Sequence, residues 1–309
     1  MWRETLHSQS NGYLKRASLP SKWWYRIKRE NPGLRKSLSL AKQVPRGIAR
    51  VSRSQPPFAV LANSFPKSGT HLLVQVLEGL PQIANYDSFI AQYPPIRFHK
   101  RSDRTIARRI SQIAPGELVS GHLHFSPNYL DQLSQRRCVS FFIYRDLRDV
   151  VASEAHYLTH MNPWHRVHRY FVNHLNTTDE RLSAAIEGIP EDQVPYQFGD
   201  VRSRFEPFLG WLDRPDVFAI KYEDLNGLRQ TEVIRDMIAF FGQRTQLGCD
   251  VDQVYEDVIA SINPARSRTF RAGRSGGWRD VFNADHIGAM KRIAGDLLIR
   301  LGYEDDYSW

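Results

Sequence analysis

The sequence predicts an α/β fold: a central parallel β-sheet, P-loop-like at its first turn, with helices on both faces. Three strand-then-helix units predict it. The apolar run Phe58-Ala59-Val60-Leu61-Ala62-Asn63 reads as a buried strand, and the turn Ser64–Thr70 follows it. Leu72, Leu73, Val76, Leu77 and Leu80 then recur at helical spacing. A second strand, Val139–Tyr144, leads into a helix over 149–157. A third, Val217–Tyr222, leads into a helix over 232–241. Strands that alternate with helices build a parallel sheet buried on both faces. Ligands of such sheets sit at the carboxyl ends of the strands. All three strands end where polar and charged residues gather.

The domain carrying these units is expected to span 58–309, behind a basic extension over 1–57. The extension is rich in Ser, Pro, Lys and Arg, and is broken by Pro20, Pro32, Pro45 and Pro56-Pro57. It holds 13 Lys/Arg against 2 Asp/Glu, whereas the other 252 residues hold 29 against 31. The net charge of +9 therefore belongs to the extension. The body lacks the basic face of a nucleic-acid-binding domain, so no nucleic-acid partner is expected. With Trp23, Trp24 and Tyr25 inside its basic run, the extension suits an anionic membrane surface. An organellar transit peptide or a solvated tail would have the same composition. Two cysteines, Cys138 and Cys249, exclude a disulfide framework and favour a reducing compartment. No stretch has the ~18 apolar residues of a membrane span, and no signal-peptide core opens the chain. The location expected is cytoplasmic, with peripheral membrane attachment open.

Two motifs carry chemistry. In Pro66-Lys67-Ser68-Gly69-Thr70, Gly69 lets backbone approach a ligand closely. The amides from Ser68 to His71 open a helix, whose N-terminus carries unpaired N–H groups and partial positive charge. A phosphate or sulfate fits there, and Lys67 adds a full charge. The Walker pattern GxxxxGK[ST] is not met, because Lys67 precedes the glycine. The second motif is Tyr144–Ser153. Arg145 ends a strand and Ser153 lies eight residues on, so the pair could grip a second phosphate.

Together these segments resemble the two nucleotide-binding signatures of the sulfotransferases that use 3′-phosphoadenosine-5′-phosphosulfate (PAPS). Phe270–Arg279 resembles the family's late Arg-Lys-Gly…Gly-Asp-Trp-Lys segment, and Lys221–Leu225 its Tyr-Glu-Asp segment. The resemblance covers roughly 58–309. It implies that Lys67, Ser68, Gly69 and Thr70, with His71 beside them, hold the 5′-phosphosulfate. Arg145 and Ser153 hold the 3′-phosphate, joined by Arg271, Ala272 and Gly273, and Tyr222 contacts the adenine. PAPS is then the co-substrate, PAP the product, and no metal is expected. The pattern departs at Leu72, where the family often has Trp, at Ala272 for a common lysine, and at Gly277 for a common aspartate. The family's dimer segment, which would begin near Arg279, is not recognisable, so the oligomeric state stays open.

Sulfuryl transfer needs a group to take the acceptor's proton. In Ser120-Gly121-His122-Leu123-His124, His122 matches the family's base, and His124 is its rival. Lys67 and His122 are the expected catalytic pair. His156 and His160 have a metal-compatible spacing, but neither an HExxH pattern nor a partner Cys accompanies them. Their histidine-rich stretch, with Trp164, Tyr170, Tyr86, Phe89 and Tyr93, is expected to flank an acceptor cleft. The acceptor would offer a hydroxyl or amine; glycan, glycolipid, phenol and small alcohol all stay open, and the basic aromatic extension leans toward a carbohydrate or lipid-linked molecule. The competing readings are a P-loop kinase and a non-enzymatic basic protein that binds nucleic acid or membranes.

Overall fold

A computed structural model describes residues 57–93, 100–194, 197–248, 250–266 and 275–309. The basic extension up to residue 56, and the expected site residues Arg271, Ala272 and Gly273, lie outside the described residues.

The chain runs β1 (Ala59–Ser64), α1 (Thr70–Glu78), β2 (Ala84–Ala91), α2 (Asp103–Ser111), β3 (Glu117–His122), α3 (Pro127–Gln135) and β4 (Cys138–Tyr144). It continues through α4 (Leu147–His156), α5 (His168–Asn173), α6 (Thr178–Glu187), α7 (Val201–Phe205) and β5 (Val217–Lys221). Then follow α8 (Tyr222–Leu225), α9 (Gln230–Thr245), α10 (Val251–Ser261) and α11 (Ala284–Arg300). The five strands form one sheet in the order β2-β3-β1-β4-β5, and every pairing is parallel. The predicted α/β architecture is the one observed. All three strands read from the sequence are present, with ends shifted by a residue.

β1 occupies the centre, and its alternating side chains divide two cores. Val60 and Ala62 face Leu73, Val76 and Leu77 of α1, with Ile234, Met237 and Phe241 of α9 and Val258 of α10. Ala59 and Leu61 face the other way, toward a cluster holding Ile106 and Ile110 of α2, Val151 of α4, Leu182 of α6 and Met290 of α11. Burying an aliphatic or aromatic side chain of this size stabilises the fold by about 1.5–3 kcal/mol. The buried sheet is thus a rigid base, and the carboxyl ends of β1, β3, β4 and β5 lie side by side upon it.

Two local features depart from the periodicity. The β2–β3 register shifts between Asn85 and Ser88, with Asp87 at a positive φ of 58°. This bulge breaks the period-2 signal that would have announced β2. At the other end, α4 does not stop at His156 but passes into a π-helical turn, Tyr157–Met161. Such turns widen a helix by one residue and re-aim its side chains.

Candidate active site

The site is built on the turn that leaves β1. Phe65 packs edge-on against Phe205 and Phe208, with ring centroids 4.9 and 5.4 Å away. The Ser68 amide donates to the Phe65 carbonyl at 3.2 Å, which closes the turn. Lys67 and Gly69 both take left-handed φ values, 68° and 95°. For a lysine this is strained backbone, of the kind that clusters at functional sites. Gly69 is required twice over, by its φ and because a Cβ there would sit 2.4 Å from Cδ2 of Tyr222. It caps α1 without a side-chain hydrogen bond, which leaves the helix's first amides to a ligand. Ser68 is fully buried, and its Oγ has no hydrogen-bond partner among the described residues. An orphaned buried hydroxyl costs about 1–3 kcal/mol, and an anion seated on the loop would relieve that cost. His71, in the first turn of α1, is exposed.

Lys67 reaches across the loop to the π-turn. Its Nζ lies 4.1 Å from the centroid of the Tyr157 ring, within the range of a cation–π contact. Tyr157 is in turn fixed through its hydroxyl, which accepts from Nδ2 of Asn162 at 2.9 Å.

The second corner lies at the end of β4. The Arg145 guanidinium sits 4.5 Å over the Tyr222 ring, so Tyr222 is packed between Gly69 of the first motif and Arg145 of the second. Nη2 of Arg145 donates to Oδ2 of Asp149 at 3.1 Å. Asp149, almost fully buried, also accepts the amides of Gly276 (2.8 Å) and Trp278 (3.0 Å). One carboxylate thus holds the late glycine segment against the Arg145 corner. Next to it Arg148 is 1% exposed yet fully charged. It is paired with Asp146 and Glu304 and stacked between Trp278 (4.2 Å) and Trp309 (4.4 Å). Glu223 of α8 closes the corner by accepting from the Asp146 amide (3.2 Å) and the Tyr303 hydroxyl (2.7 Å). Burial raises its pKa above the usual carboxylate range. Ser153 lies about two helical turns along α4 from Arg145, half-buried.

His122 ends β3 beside the loop. Its Nδ1 lies 2.9 Å from the Ser64 carbonyl. A carbonyl can only accept, so Nδ1 carries the proton and Nε2 is the basic nitrogen in the neutral ring. Phe89 of β2 packs edge-on against the ring at 5.2 Å. His124 is differently placed. It packs against Phe208 (4.9 Å) and Tyr93 (6.0 Å). Burial, assisted by the positive charge of Lys100, lowers its pKa to about 4. It is therefore neutral, and a much weaker base than a solvated imidazole.

The histidine-rich stretch forms the wall beyond. His156 and His160 are ring neighbours at 4.9 Å. Among the described residues, no group of three His, Cys, Asp or Glu could hold a metal ion. Burial, with Arg166, Arg204 and His168 nearby, lowers the His165 pKa to about 3. Arg166 lies 4.9 Å over the Tyr93 ring, and Tyr93 and Trp164 are exposed. Among the described residues no helix is long and apolar enough to cross a membrane.

Three residues escaped the sequence reading. Ser64 reads as the first residue of the turn, whereas it ends β1. Asp149 reads as an ordinary helix carboxylate, and its task shows only once residues 276–278 fold back onto it. Tyr157 depends on a π-turn, for which there is no simple periodic signal.

The fold and the site first define a class, an α/β protein in which a tight, uncapped turn leaves the central strand of a parallel sheet and opens a helix. The family comparison narrows it: the sulfotransferase-domain profile matches residues 58–302. The chain belongs to the sulfotransferase family. Its fold is similar to that of a mouse sulfotransferase complexed with PAP, at 16% identity and a TM-score of 0.54. That likeness covers 86% of this chain and 91% of the other. It is also similar to retinol dehydratase in complex with androsterone and PAP, at 15% identity and a TM-score of 0.50, covering 79% and 81%. No curated protein sequence matches the chain significantly.

Proposed function

We propose that this sulfotransferase moves the sulfuryl group of PAPS onto a hydroxyl or amine of its acceptor by in-line displacement, with His122 as base and Lys67 as the charge-stabilising group. One observation carries the reading. The turn that opens α1 holds a buried, orphaned Ser68 hydroxyl and uncapped amides, and Ser64 at its start touches both Thr70 and His122. The loop residues Lys67, Ser68, Gly69 and Thr70 would hold the 5′-phosphosulfate. Arg145 and Ser153 would hold the 3′-phosphate, joined by Arg271, Ala272 and Gly273, which precede in sequence the Gly276–Trp278 segment held by Asp149. Tyr222 would pack at the nucleotide's base.

The chemistry assigned to these side chains balances simply. Nε2 of His122 takes the acceptor proton as the acceptor oxygen or nitrogen bonds to sulfur. The bond between sulfur and the 5′-phosphate oxygen breaks, and the Lys67 ammonium stabilises the charge left on that oxygen. Lys67 supplies charge that a kinase draws largely from Mg²⁺. Transfer of label from PAPS should therefore persist in excess EDTA. Loss in EDTA with rescue by Mg²⁺ would favour a kinase instead.

For the acceptor we favour a carbohydrate or lipid-linked alcohol. The exposed rings of Tyr93 and Trp164 and the Arg166 guanidinium suit a sugar, because aromatic faces pack on its C–H face and a guanidinium donates to its hydroxyls. The basic extension would bring the cytoplasmic enzyme to an anionic membrane. Labelled-PAPS transfer into cell extracts, read by mass spectrometry, identifies the acceptor. Co-sedimentation with anionic vesicles, comparing the full chain with one starting at Phe58, tests the extension. If both stay in solution, the membrane reading fails.

A further inference from the structure

Ser64 is fully buried, and its side chain sits at a junction. Its Oγ lies 2.6 Å from Oγ1 of Thr70, 3.1 Å from Nδ1 of His122, and 3.4 Å from the Gly121 carbonyl. The same residue's carbonyl lies 2.9 Å from that Nδ1. Ser64 thus touches the imidazole with two oxygens and the anion-binding loop with one. We propose that Ser64 is a positioning residue that couples His122 to Thr70, holding the ring with Nε2 toward the acceptor and keeping it in register with the loop. The inference rests on the reading of His122 as base.

The direction of each hydrogen bond follows from the chemistry. Nδ1–H has one proton and two acceptors in reach, the Ser64 carbonyl and Oγ, so it forms a three-centre bond. This arrangement needs a proton on Nδ1, so in the neutral ring Nε2 is the unprotonated nitrogen, and the bond persists when Nε2 takes the acceptor proton. The 2.6 Å contact between the hydroxyls of Ser64 and Thr70 holds one hydrogen. When Thr70 donates to an anion on the loop, its own proton is committed and Ser64 must donate to it. All the donors then point one way, from His122 through Ser64 and Thr70 to the ligand. Aligned chains of this kind polarise and strengthen one another. A bound anion therefore stiffens the base from behind, without touching it. Backbone geometry makes this possible. Ser64 is the last residue of β1, whose Asn63 pairs in register with Gly121 of β3, so the end of β1 lies against His122.

The test separates positioning from simple support of the loop. Ser64→Ala should lower kcat five- to tenfold while the Kd for PAP stays within about twofold, because net hydrogen bonds of ~0.5–1.5 kcal/mol are removed behind the base. Ser64→Thr keeps the hydroxyl and should recover wild-type turnover to within about twofold. The full chain, labelled with ¹⁵N at histidine and assigned with His122→Gln, should show His122 as the Nδ1–H tautomer with no cofactor present. The proposal is overturned if Ser64→Ala turns over like wild type. It is equally overturned if PAP affinity falls by the same factor as kcat, or if Ser64→Thr is as slow as Ser64→Ala. A wild-type Nε2–H tautomer overturns it without any activity measurement. Failure of the wild type to bind PAP is a different result: it sinks the PAPS reading and leaves the tautomer experiment to judge Ser64 and His122.

Discussion

The Arg145 corner, proposed for the nucleotide, and the region beyond His122, proposed for the acceptor, are made in different ways. Around Arg145 the buried carboxylates are each tied by several hydrogen bonds. Asp149 holds Arg145, Gly276 and Trp278, Glu223 holds Asp146 and Tyr303, and Arg148 is clamped between two carboxylates and two indoles. Beyond His122 the contacts are mostly ring against ring: Phe89 on His122, and Tyr93 and Phe208 on His124. Hydrogen-bonded charge fixes position within tenths of an ångström, whereas ring packing tolerates sliding and substitution. The difference teaches where constraint lies. On the proposed assignment, a co-substrate that never changes would meet rigid corners, and an acceptor a surface that can be re-cut without disturbing them.

The sharpest way to break this comparison is at the atom where the halves meet. His122→Ala should lose at least ~10²-fold in kcat, the usual scale for a general base, with PAP affinity retained. His124→Ala, two residues on and in the ring-packed half, should lose less than tenfold. Single-turnover transfer from labelled PAPS reads both. An exchange of the two phenotypes would move the base to His124 and dissolve the boundary drawn here.

Next in size is the nucleotide corner itself. Arg145→Ala should weaken PAP roughly tenfold or more, since a hydrogen bond to a charged group contributes about 1.5–3 kcal/mol. Adenosine-5′-phosphosulfate, which lacks the 3′-phosphate, should bind as before. Asp149→Asn should follow Arg145→Ala in direction, because it loosens both Arg145 and the Gly276 and Trp278 amides. Calorimetric titration with both ligands decides it, and equal losses for both would remove Arg145 from the 3′-phosphate.

The two halves also differ in how much of them could be read from the chain. Pro66–Thr70 and Arg145–Ser153 stand out in the sequence because a strand, a tight turn and a helix place their residues by local geometry alone; their hold on a nucleotide is the proposal. β1, β4 and β5 announced themselves as apolar runs, and each lies well inside the sheet or against buried helices. β2 did not, because the bulge at Asn85–Ser88 destroys its alternation. β3 was reached only through its end, at His122. Tyr222 ends the apolar run of the third strand in the sequence but opens α8. Ser64, Asp149 and Tyr157 were invisible for one shared reason. Their roles depend on partners 58, 127–129 and 90 residues away, and no local pattern encodes such a meeting.

Tyr157 bridges the halves, and its effect should be smaller. It belongs to the helix that begins beside Arg145, yet its ring lies under Lys67. Exposed to desolvated cation–π contacts contribute about 0.5–2 kcal/mol. Tyr157→Leu should therefore lower kcat by a few-fold to about tenfold, while Tyr157→Phe, which keeps the aromatic face, should stay within about twofold. Steady-state rates at saturating PAPS measure this. If Phe and Leu are equally slow, the hydroxyl bond from Asn162 matters and the ring face does not.

The smallest effect on turnover should come from removing the charge option at His124, and it shows in stability instead. The folded pKa is about 4, depressed by burial and then by Lys100, against 6.5 in the unfolded chain. Between these values the unfolded state binds the proton and the folded state does not. Stability from this group is therefore complete above pH 6.5 and falls as the pH drops toward 4. The slope is at most about 1.4 kcal/mol per pH unit. His124→Gln cannot take a proton and loses that slope. Its melting temperature should lie below wild type at pH 7, where packing against Phe208 and Tyr93 is imperfect, and close on it by pH 5. His165, lowered to about 3, stays in both proteins and contributes a common acid fall, so the difference between the two curves isolates His124. A gap that stays constant from pH 7 to 4.5 would mean that His124 titrates in the folded protein as it does unfolded, and that the acceptor half is wetter than its ring packing implies.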